Sequence, residues 1–179
     1  VYLRLSADKL DDLNFPRDGF EGSVEYSTSQ EDFGAESSFD QVIFDALYAR
    51  SGGRNTLIGG VGVNTTLESD APIQNLFQMD GLFNLSGYLQ QELRGQHMGL
   101  LRLGYMRQIG NFNLMPAYIG ATLEQGNVWQ NDADIDFDNL ISAGSLFLGL
   151  DTILGPLYLG YGLAEDNKHN FYFYLGEIY

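Results

Sequence analysis

The run Asp132-Ala-Asp-Ile-Asp-Phe-Asp138 carries alternate carboxylates, which are the ligands that hard cations such as Ca²⁺ prefer. Calcium loops of known type also need a glycine at the turn and a bidentate glutamate, and neither occurs at the matching place. With only two histidines and no cysteine, other metal sites are equally poor. We therefore interpret the run as a solvated loop and predict no metal and no cofactor.

The two histidines, His97 and His169, are the candidates for acid–base chemistry. A serine–histidine pair on a strand surface is one way to build a lipid hydrolase, and either histidine could serve it. However, the chain has no G-x-S-x-G, and the segment Ala-Gly-Ser-Leu-Phe-Leu-Gly at 143–149 lacks the spacing of a nucleophile elbow. Both histidines lie at predicted strand ends, so we predict rim positions and no catalytic residue.

The charge of the chain excludes one class of partner. Asp and Glu number 24 against 9 Lys and Arg, which gives a formal charge of −15. Nucleic acids are bound by basic patches, so no nucleic-acid partner is expected.

The pattern of side chains has a period of two almost everywhere, which is typical of β-strands. In Leu157-Tyr-Leu-Gly-Tyr-Gly-Leu163, large apolar residues occupy the odd positions and glycines occupy two even ones. No segment has a convincing helical period. We predict strands near 1–8, 20–30, 39–50, 54–66, 97–108, 114–128, 139–152, 156–164 and 169–179.

The connections between these strands fall into two classes that alternate along the chain. Short ones are found at 50–54, 110–113 and 154–156, and longer ones at 30–38, 67–96, 130–138 and 165–168. Outer-membrane barrels have short periplasmic turns and long external loops, so we predict an all-β, antiparallel transmembrane β-barrel. A soluble ligand-binding barrel and a general outer-membrane channel are the alternatives.

The alternation also assigns the two faces of the predicted barrel. The residues predicted to face lipid are Ile119, Leu123, Leu157, Leu159 and Tyr161, and those predicted to face the lumen are Glu25, Asp45, Arg102 and Glu124.

Three stretches resemble a known family. The C-terminal "NFYFYLGEIY" is similar to the last-strand assembly signal of outer-membrane barrels, carried here by Phe173, Leu175, Gly176 and Tyr179. "LDDLNFPRDGF" at 10–20 and "TLEQGNVW" at 122–129 resemble two motifs of the BamA-like bacterial surface antigen superfamily. In that superfamily a long loop folds into the lumen, and the arginine of its R-G-[FY] tip pairs with an acidic strand residue.

This resemblance implies a role for the long loop at 67–96. The aligned tip is Ser86-Gly87-Tyr88, where serine replaces the arginine, and an Arg94-Gly95 pair follows downstream. Glu124 has the inward parity and occupies the acidic position. We therefore predict a salt bridge between Arg94 and Glu124, because a buried carboxylate favours a bidentate arginine partner.

A finer resemblance covers nearly the whole chain. "LSGYLQQELRGQH" at 85–97, "LRLGYMRQIG" at 101–110 and "GSLFLGLDTILGPLYLGYGLAEDN" at 144–167 resemble the C-terminal barrel of patatin-like outer-membrane phospholipases, the type Vd autotransporters. This implies a bacterial outer-membrane location, contact with outer-membrane lipid, folding by the barrel-assembly machinery and a tethered lipase passenger. The barrel domain itself is then not an enzyme, and since the chain opens on Val1 without a signal peptide, a fragment or mature product is expected.

The number of strands leads to a prediction about assembly. Bacterial barrels have an even number of strands, so we predict a periplasmic or partial strand and turn at 1–19 and about eight spanning strands in a barrel domain at 20–179. About eight strands enclose too little room for the long loop. Two chains are therefore expected to complete a barrel of about sixteen strands as a homodimer.

Overall fold

The computed structural model describes residues 1–31, 34, 36–89 and 91–176. Nine strands form one antiparallel sheet in which each strand pairs with its neighbours along the chain, apart from a two-stranded ribbon of β5 and β6 inserted between β4 and β7. The strands are β1 Tyr2–Asp8, β2 Gly19–Ser29, β3 Phe39–Gly52, β4 Asn55–Leu67, β5 Phe77–Gln78, β6 Arg94–Gly95, β7 His97–Phe112, β8 Met115–Trp129, β9 Ile141–Thr152, β10 Gly155–Ala164 and β11 His169–Leu175.

The antiparallel all-β prediction is therefore confirmed, and each of the nine predicted segments overlaps one strand of the large sheet, although several strands extend beyond the predicted bounds. Single turns of 3₁₀ helix occur at Ile73–Asn75, Asp132–Asp134 and Glu165–Asn167. No helix among the described residues is both long and apolar enough to cross a membrane.

The two faces of the sheet differ sharply because successive side chains of a strand point to opposite sides. On β8, Tyr118, Thr122 and Glu124 are buried, whereas Leu123 between them is 70% exposed. Leu159 and Ile119 are exposed like Leu123, and each lies on the face that the sequence assigned to lipid. The opposite, inner face carries Glu124 and its neighbours Thr122 and Ser145.

The sheet is curved, and its inner face is concave. Arg17, in the turn after β1, donates from Nη1 to Oε1 of Gln108 on β7 at 3.3 Å, and Tyr158 on β10 donates to the carbonyl of Asn14 in the same turn. A turn at one edge of the sheet therefore reaches the central strand β7 and the strand β10 beside the other edge. The described sheet is nevertheless open, because β1 and β11 each have one neighbour only.

The connections of unequal length lie at opposite ends of the sheet. The ends of β1, β3, β7 and β9 carry the turns at 9–18, 53–54, 113–114 and 153–154, and we name this side the short-turn end. The other side, with connections at 30–38, 68–96, 130–140 and 165–168, is the long-loop end.

β1 is a regular member of the sheet and pairs with β2 over seven residues, Tyr2 opposite Ser27 through Asp8 opposite Glu21. All seven of its side chains are exposed. The sequence predicted about eight spanning strands and a partial one. The described sheet has nine paired strands, so the number of further strands needed to close a barrel differs from that prediction.

Candidate functional site

The connection between β4 and β7 folds back over the concave face instead of extending away from the sheet. β5 and β6 form a short ribbon at its base, where Phe77 pairs with Gly95. Beyond the ribbon, Met79, Leu82 and Leu85 are almost completely buried. Met79 and Leu85 pack with Tyr88 and Leu100, and Leu82 packs in a second cluster with Phe147, Tyr158 and Tyr172.

The tip of this loop binds Glu124. The backbone N–H of Ser86 donates to Oε2 at 2.6 Å, and the Ser86 hydroxyl donates to Oε1 at 2.9 Å. Thr122, two residues earlier on β8, also donates its hydroxyl to Oε1, and its Oγ1 lies 2.6 Å from Oγ of Ser145. Glu124 is 1% exposed. Its buried carboxylate accepts hydrogen bonds from neutral donors on the loop and on the wall.

Glycines on the wall and the loop allow the two backbones to approach closely. Gly87 has φ +113°, which side-chain-bearing residues rarely adopt, and its N–H donates to the Tyr172 hydroxyl at 3.0 Å. A Cβ on Gly162 of β10 would lie 2.7 Å from the Gly87 nitrogen, and one on Gly160 would lie 2.7 Å from Leu82. The loop therefore docks on a tract of the wall that has no side chains.

The loop tip is also strained. Phe83 and Leu85 have φ values of +76° and +56°, a region that is uncommon for residues other than glycine. Such conformations persist where the surroundings determine them. Here the surroundings are the Ser86 bonds to Glu124 and the burial of Leu85, together with a hydrogen bond from the Phe83 N–H to the Ser86 hydroxyl at 3.0 Å.

Arg94 does not pair with Glu124, so the predicted salt bridge is not formed in the structure. Arg94 lies in the ribbon at the base of the loop, its guanidinium donates to Gln91, and its carbonyl accepts from Gln130 at 2.6 Å. Pairing with β5 holds it there, while both carboxylate oxygens of Glu124 are occupied by Ser86 and Thr122. Of the other predicted residues, Gly87 and Tyr88 do lie at the tip.

Gly95 has a different role from the one implied by the motif. A Cβ at this position would lie 2.5 Å from the carbonyl oxygen of Trp129, so glycine lets the ribbon pack against the end of β8.

Arg102 is the arginine that lies near the loop tip. It is the cross-strand partner of Glu124 between β7 and β8, and its Nη1 donates to Oδ1 of Asn84 at 3.3 Å. Asp45 and Glu124 are its main acidic neighbours. Sequence parity placed Arg102 on the inner face, but it gave no sign that this side chain, rather than Arg94, contacts the loop.

A second contact, between Lys168 and Glu92, holds the loop at the long-loop end, and we name it the Glu92–Lys168 clasp. Lys168, between β10 and β11, forms an ion pair with Glu92 and lies 4.3 Å from the centroid of the Tyr88 ring. The hydrogen bond from Lys168 lowers the pKa of Glu92, and the same bond raises the pKa of Lys168.

The turn after β1 fills the other half of the concave face. Phe15, from the Asn-Phe-Pro motif, is 1% exposed and stacks on Tyr118 at 4.5 Å and on Tyr158 at 4.9 Å between ring centroids. Phe83 of the long loop contacts the same Tyr158 edge-on at 5.7 Å. The two loops thus meet on one tyrosine, and a cavity of about 150 Å³ remains between them, lined by both loops and by Arg102.

The candidates for catalysis and metal binding are explained by structural contacts. Ser145 of the segment at 143–149 is buried on the inner wall. His97 bridges Thr65 Oγ1, 2.7 Å from Nδ1, and Asp132 Oδ1, 2.8 Å from Nε2. This resembles a hydroxyl–imidazole–carboxylate series, but the Asp132 side chain is 87% exposed, and Thr65 and His97 are directly paired strand residues.

We interpret the His97 series as a link between β4, β7 and the loop at 130–140. His169 lies exposed at the start of β11. Among the described residues, no group of three or more His, Asp or Glu side chains is placed to hold a metal ion.

The residues of the predicted assembly signal lie at the end of β11. Phe173 and Leu175 point outward and are exposed, and Gly176 follows with φ +111°. Tyr179 lies outside the described residues.

Comparison with solved structures identifies the fold. BamA from Haemophilus ducreyi lacking POTRA domains 1–3 is similar with a TM-score of 0.78 and 12% sequence identity, over 97% of this chain and 40% of that one. This chain therefore spans less than half the length of that neighbour. No family model matches the chain, and no curated protein matches it. The expected similarity to the BamA fold is confirmed for the antiparallel sheet, and the described strands form an open sheet with edges at β1 and β11.

Proposed function

We propose that this chain is a transmembrane β-barrel domain of the bacterial outer membrane, and that its own loops close the barrel interior. The observation that carries the proposal is the distribution of apolar side chains. Leu103, Leu146 and Phe171 are 67%, 64% and 79% exposed on the outer face, whereas the polar Glu124 and Thr122 are buried on the inner one.

A soluble ligand-binding barrel would also keep apolar residues inside, as the two buried clusters do here, but it would place polar residues on its outer face. A large continuous apolar surface marks contact with lipid or a partner, and on a barrel wall lipid covers the whole outer face. The regular separation of short turns from long loops supports the same reading.

The filled interior favours an anchor over an open channel. The long loop is held by Glu124 and Tyr172, and the turn after β1 by Tyr118 and Tyr158. A general channel would leave the inner wall solvated, whereas here the wall of β8 to β10 is covered from both ends.

The proposed cargo is a patatin-like lipase, which this domain would anchor and help to export. The support is the sequence resemblance of 85–97, 101–110 and 144–167 to the barrels of type Vd autotransporters. The barrel domain would contribute no catalytic group, and the lipase would be tethered to it. The barrel-assembly machinery would bind the outward residues of β11, Phe173 and Leu175.

Labelling of a cysteine at Ala133 tests the membrane orientation. Ala133 is exposed in the loop between β8 and β9, so a membrane-impermeant thiol reagent should label Ala133→Cys on intact cells. Labelling only after disruption of the outer membrane would reverse the orientation, and a chain that stays monodisperse in buffer without detergent would contradict membrane insertion.

The passenger is tested separately by the lipase activity of the protein as the cell produces it. Membranes that carry the native protein should hydrolyse phospholipid, and the activity should co-purify with this barrel. A native protein without an additional lipase domain would remove the autotransporter proposal and leave the barrel.

A further inference from the structure

The two free edges of the sheet run in the same direction. β1 leads into the turn at 9–18 and therefore runs toward the short-turn end. β11 follows the connection at 165–168 and also runs toward the short-turn end, as expected for the first and ninth members of an antiparallel series. If the chain spans a membrane, as proposed above, both edges must be paired, because unpaired backbone groups are costly in lipid.

A second copy of the chain presents the wrong strand direction for this pairing. Its loops fix its orientation in the membrane, so its own edge strands also run toward the short-turn end. A two-fold dimer would therefore join β1 of one copy to β11 of the other in parallel at both seams. Parallel pairing is the less stable arrangement, and bacterial outer-membrane barrels are antiparallel.

A dimer with antiparallel seams requires one edge strand to leave the sheet, so that β2 or β10 becomes the edge. Loss of β11 would break its pairing of seven residues with β10 and the hydrogen bond from the Gly87 N–H to the Tyr172 hydroxyl. Loss of β1 would break the pairing of seven residues between β1 and β2. It would also release the flanking bonds from Thr28 N–H to the Val1 carbonyl and from Lys9 N–H to the Phe20 carbonyl, both 2.8 Å. The latter adjoins the turn whose Phe15 is stacked on the inner wall.

We infer that the unit completing this barrel is not a second copy but an odd number of strands, the outer two of which run toward the long-loop end. Only such a unit gives two antiparallel seams while β1 and β11 both stay paired. Seven strands would bring the total to sixteen. The strand next to β1 should alternate apolar residues outside with polar residues inside, because β1 places Leu3 and Leu5 outside and Arg4 inside.

Cysteine pairs in the native protein, within its own outer membrane, test whether a second copy closes the sheet. Leu5→Cys with Phe173→Cys reports a seam between β1 and β11, and Val24→Cys with Phe173→Cys reports one between β2 and β11. Leu5→Cys with Leu159→Cys reports a seam between β1 and β10. Leu159→Cys with Phe173→Cys is the matched control, since these two residues are paired within one chain. A flexible bismaleimide tolerates the unknown register of a seam.

We expect cross-linking within the chain by the control pair and no cross-linked dimer from the three test pairs. A dimer from any test pair, at a yield comparable with the control, would overturn the inference and identify which seam forms. Failure of the control itself would instead show that the chain lacks the fold on which the proposed function depends.

The direction of the missing strand can be measured in the native outer membrane. Photo-cross-linking side chains at Leu3 and Ala7, both facing outward on β1, should each reach the adjacent strand. An antiparallel neighbour outside residues 1–179 is expected, with the position reached from Leu3 later in its sequence than the one reached from Ala7. The reverse order, or products that map to β11, would contradict the inference.

Discussion

The substitution Glu124→Ala tests how the long loop is held. Three donors converge on this carboxylate: the backbone N–H and hydroxyl of Ser86, and the hydroxyl of Thr122. All lie on buried residues, so removing the carboxylate leaves the two Ser86 donors without an acceptor, while the Thr122 hydroxyl keeps its hydrogen bond with Ser145.

The expected magnitude follows from the number of orphaned donors. A buried donor left unsatisfied costs about 1–3 kcal/mol. The two Ser86 donors would together destabilise the docked loop by about 3 kcal/mol, with partial relief where water enters. Ser86→Ala removes one donor and keeps the backbone bond, so about 1–2 kcal/mol is expected. A loss of about 2.8 kcal/mol corresponds to a hundredfold change in an equilibrium constant.

Amide hydrogen exchange at Ser86 and Gly87 measures the opening of the loop directly. We expect exchange in Glu124→Ala to be at least about a hundredfold faster than in the wild type, and the Ser86→Ala effect to be smaller. Arg94→Ala is the control, because its side chain contacts Gln91 and not Glu124. If Arg94→Ala opened the loop as much as Glu124→Ala, and the two changes were non-additive, the structural assignment of the anchor would be refuted.

Three further changes have defined outcomes. Leu159 points outward at the middle of β10, and Leu159→Arg should cost about 2–4 kcal/mol of folding free energy in lipid. Refolding into vesicles measures this cost, and a neutral effect would show that this face does not contact lipid. Phe15→Ala and Phe83→Ala should be coupled by about 0.5–1 kcal/mol in a double-mutant cycle of unfolding, because both rings contact Tyr158 of β10. Strict additivity of the two unfolding free energies would contradict this shared contact. The Glu92–Lys168 ion pair should be fully formed between pH 4.5 and pH 10.5, the ordinary pKa values of the two groups. It should weaken as pH falls through the lowered pKa of Glu92 or rises through the raised pKa of Lys168, and the rate of proteolysis of the loop measures this weakening. Lys168→Gln should remove this pH dependence, and an unchanged profile would exclude the clasp as its cause.

The strands and their faces could be predicted from sequence because one physical rule governs them. Side chains alternate across a strand, so the parity of Leu123 and Glu124 alone separates the outer from the inner face. The alternation of turn lengths then orders the strands without information from distant parts of the chain. The count of nine strands was also visible, but the assumption of an even number reduced it to eight.

The anchor of the loop could not be predicted in the same way. The acid at Glu124 was correct, and the partner was wrong, because a charged partner was assumed for a buried carboxylate. Ser86 offers two donors, its hydroxyl and its backbone N–H. Almost every residue type has a backbone N–H, so the identity of a residue does not reveal a backbone donor. The serine at the aligned tip was in fact the signal, since Ser86 and Gly87 occupied the expected position while Arg94 did not.

The glycines on the inner face of β10 are a second feature whose partner could not be predicted from the sequence. Glycine inside a strand often marks a close approach by some other group, and Gly160 and Gly162 are such positions. What approaches is a loop that begins more than sixty residues earlier in the sequence, and its strained tip is stabilised only once that wall exists. The loop conformation is therefore a property of the assembled inner wall. Any unit that completes the barrel must leave this wall in place, which favours closure at the edges of the sheet without movement of β8 to β10.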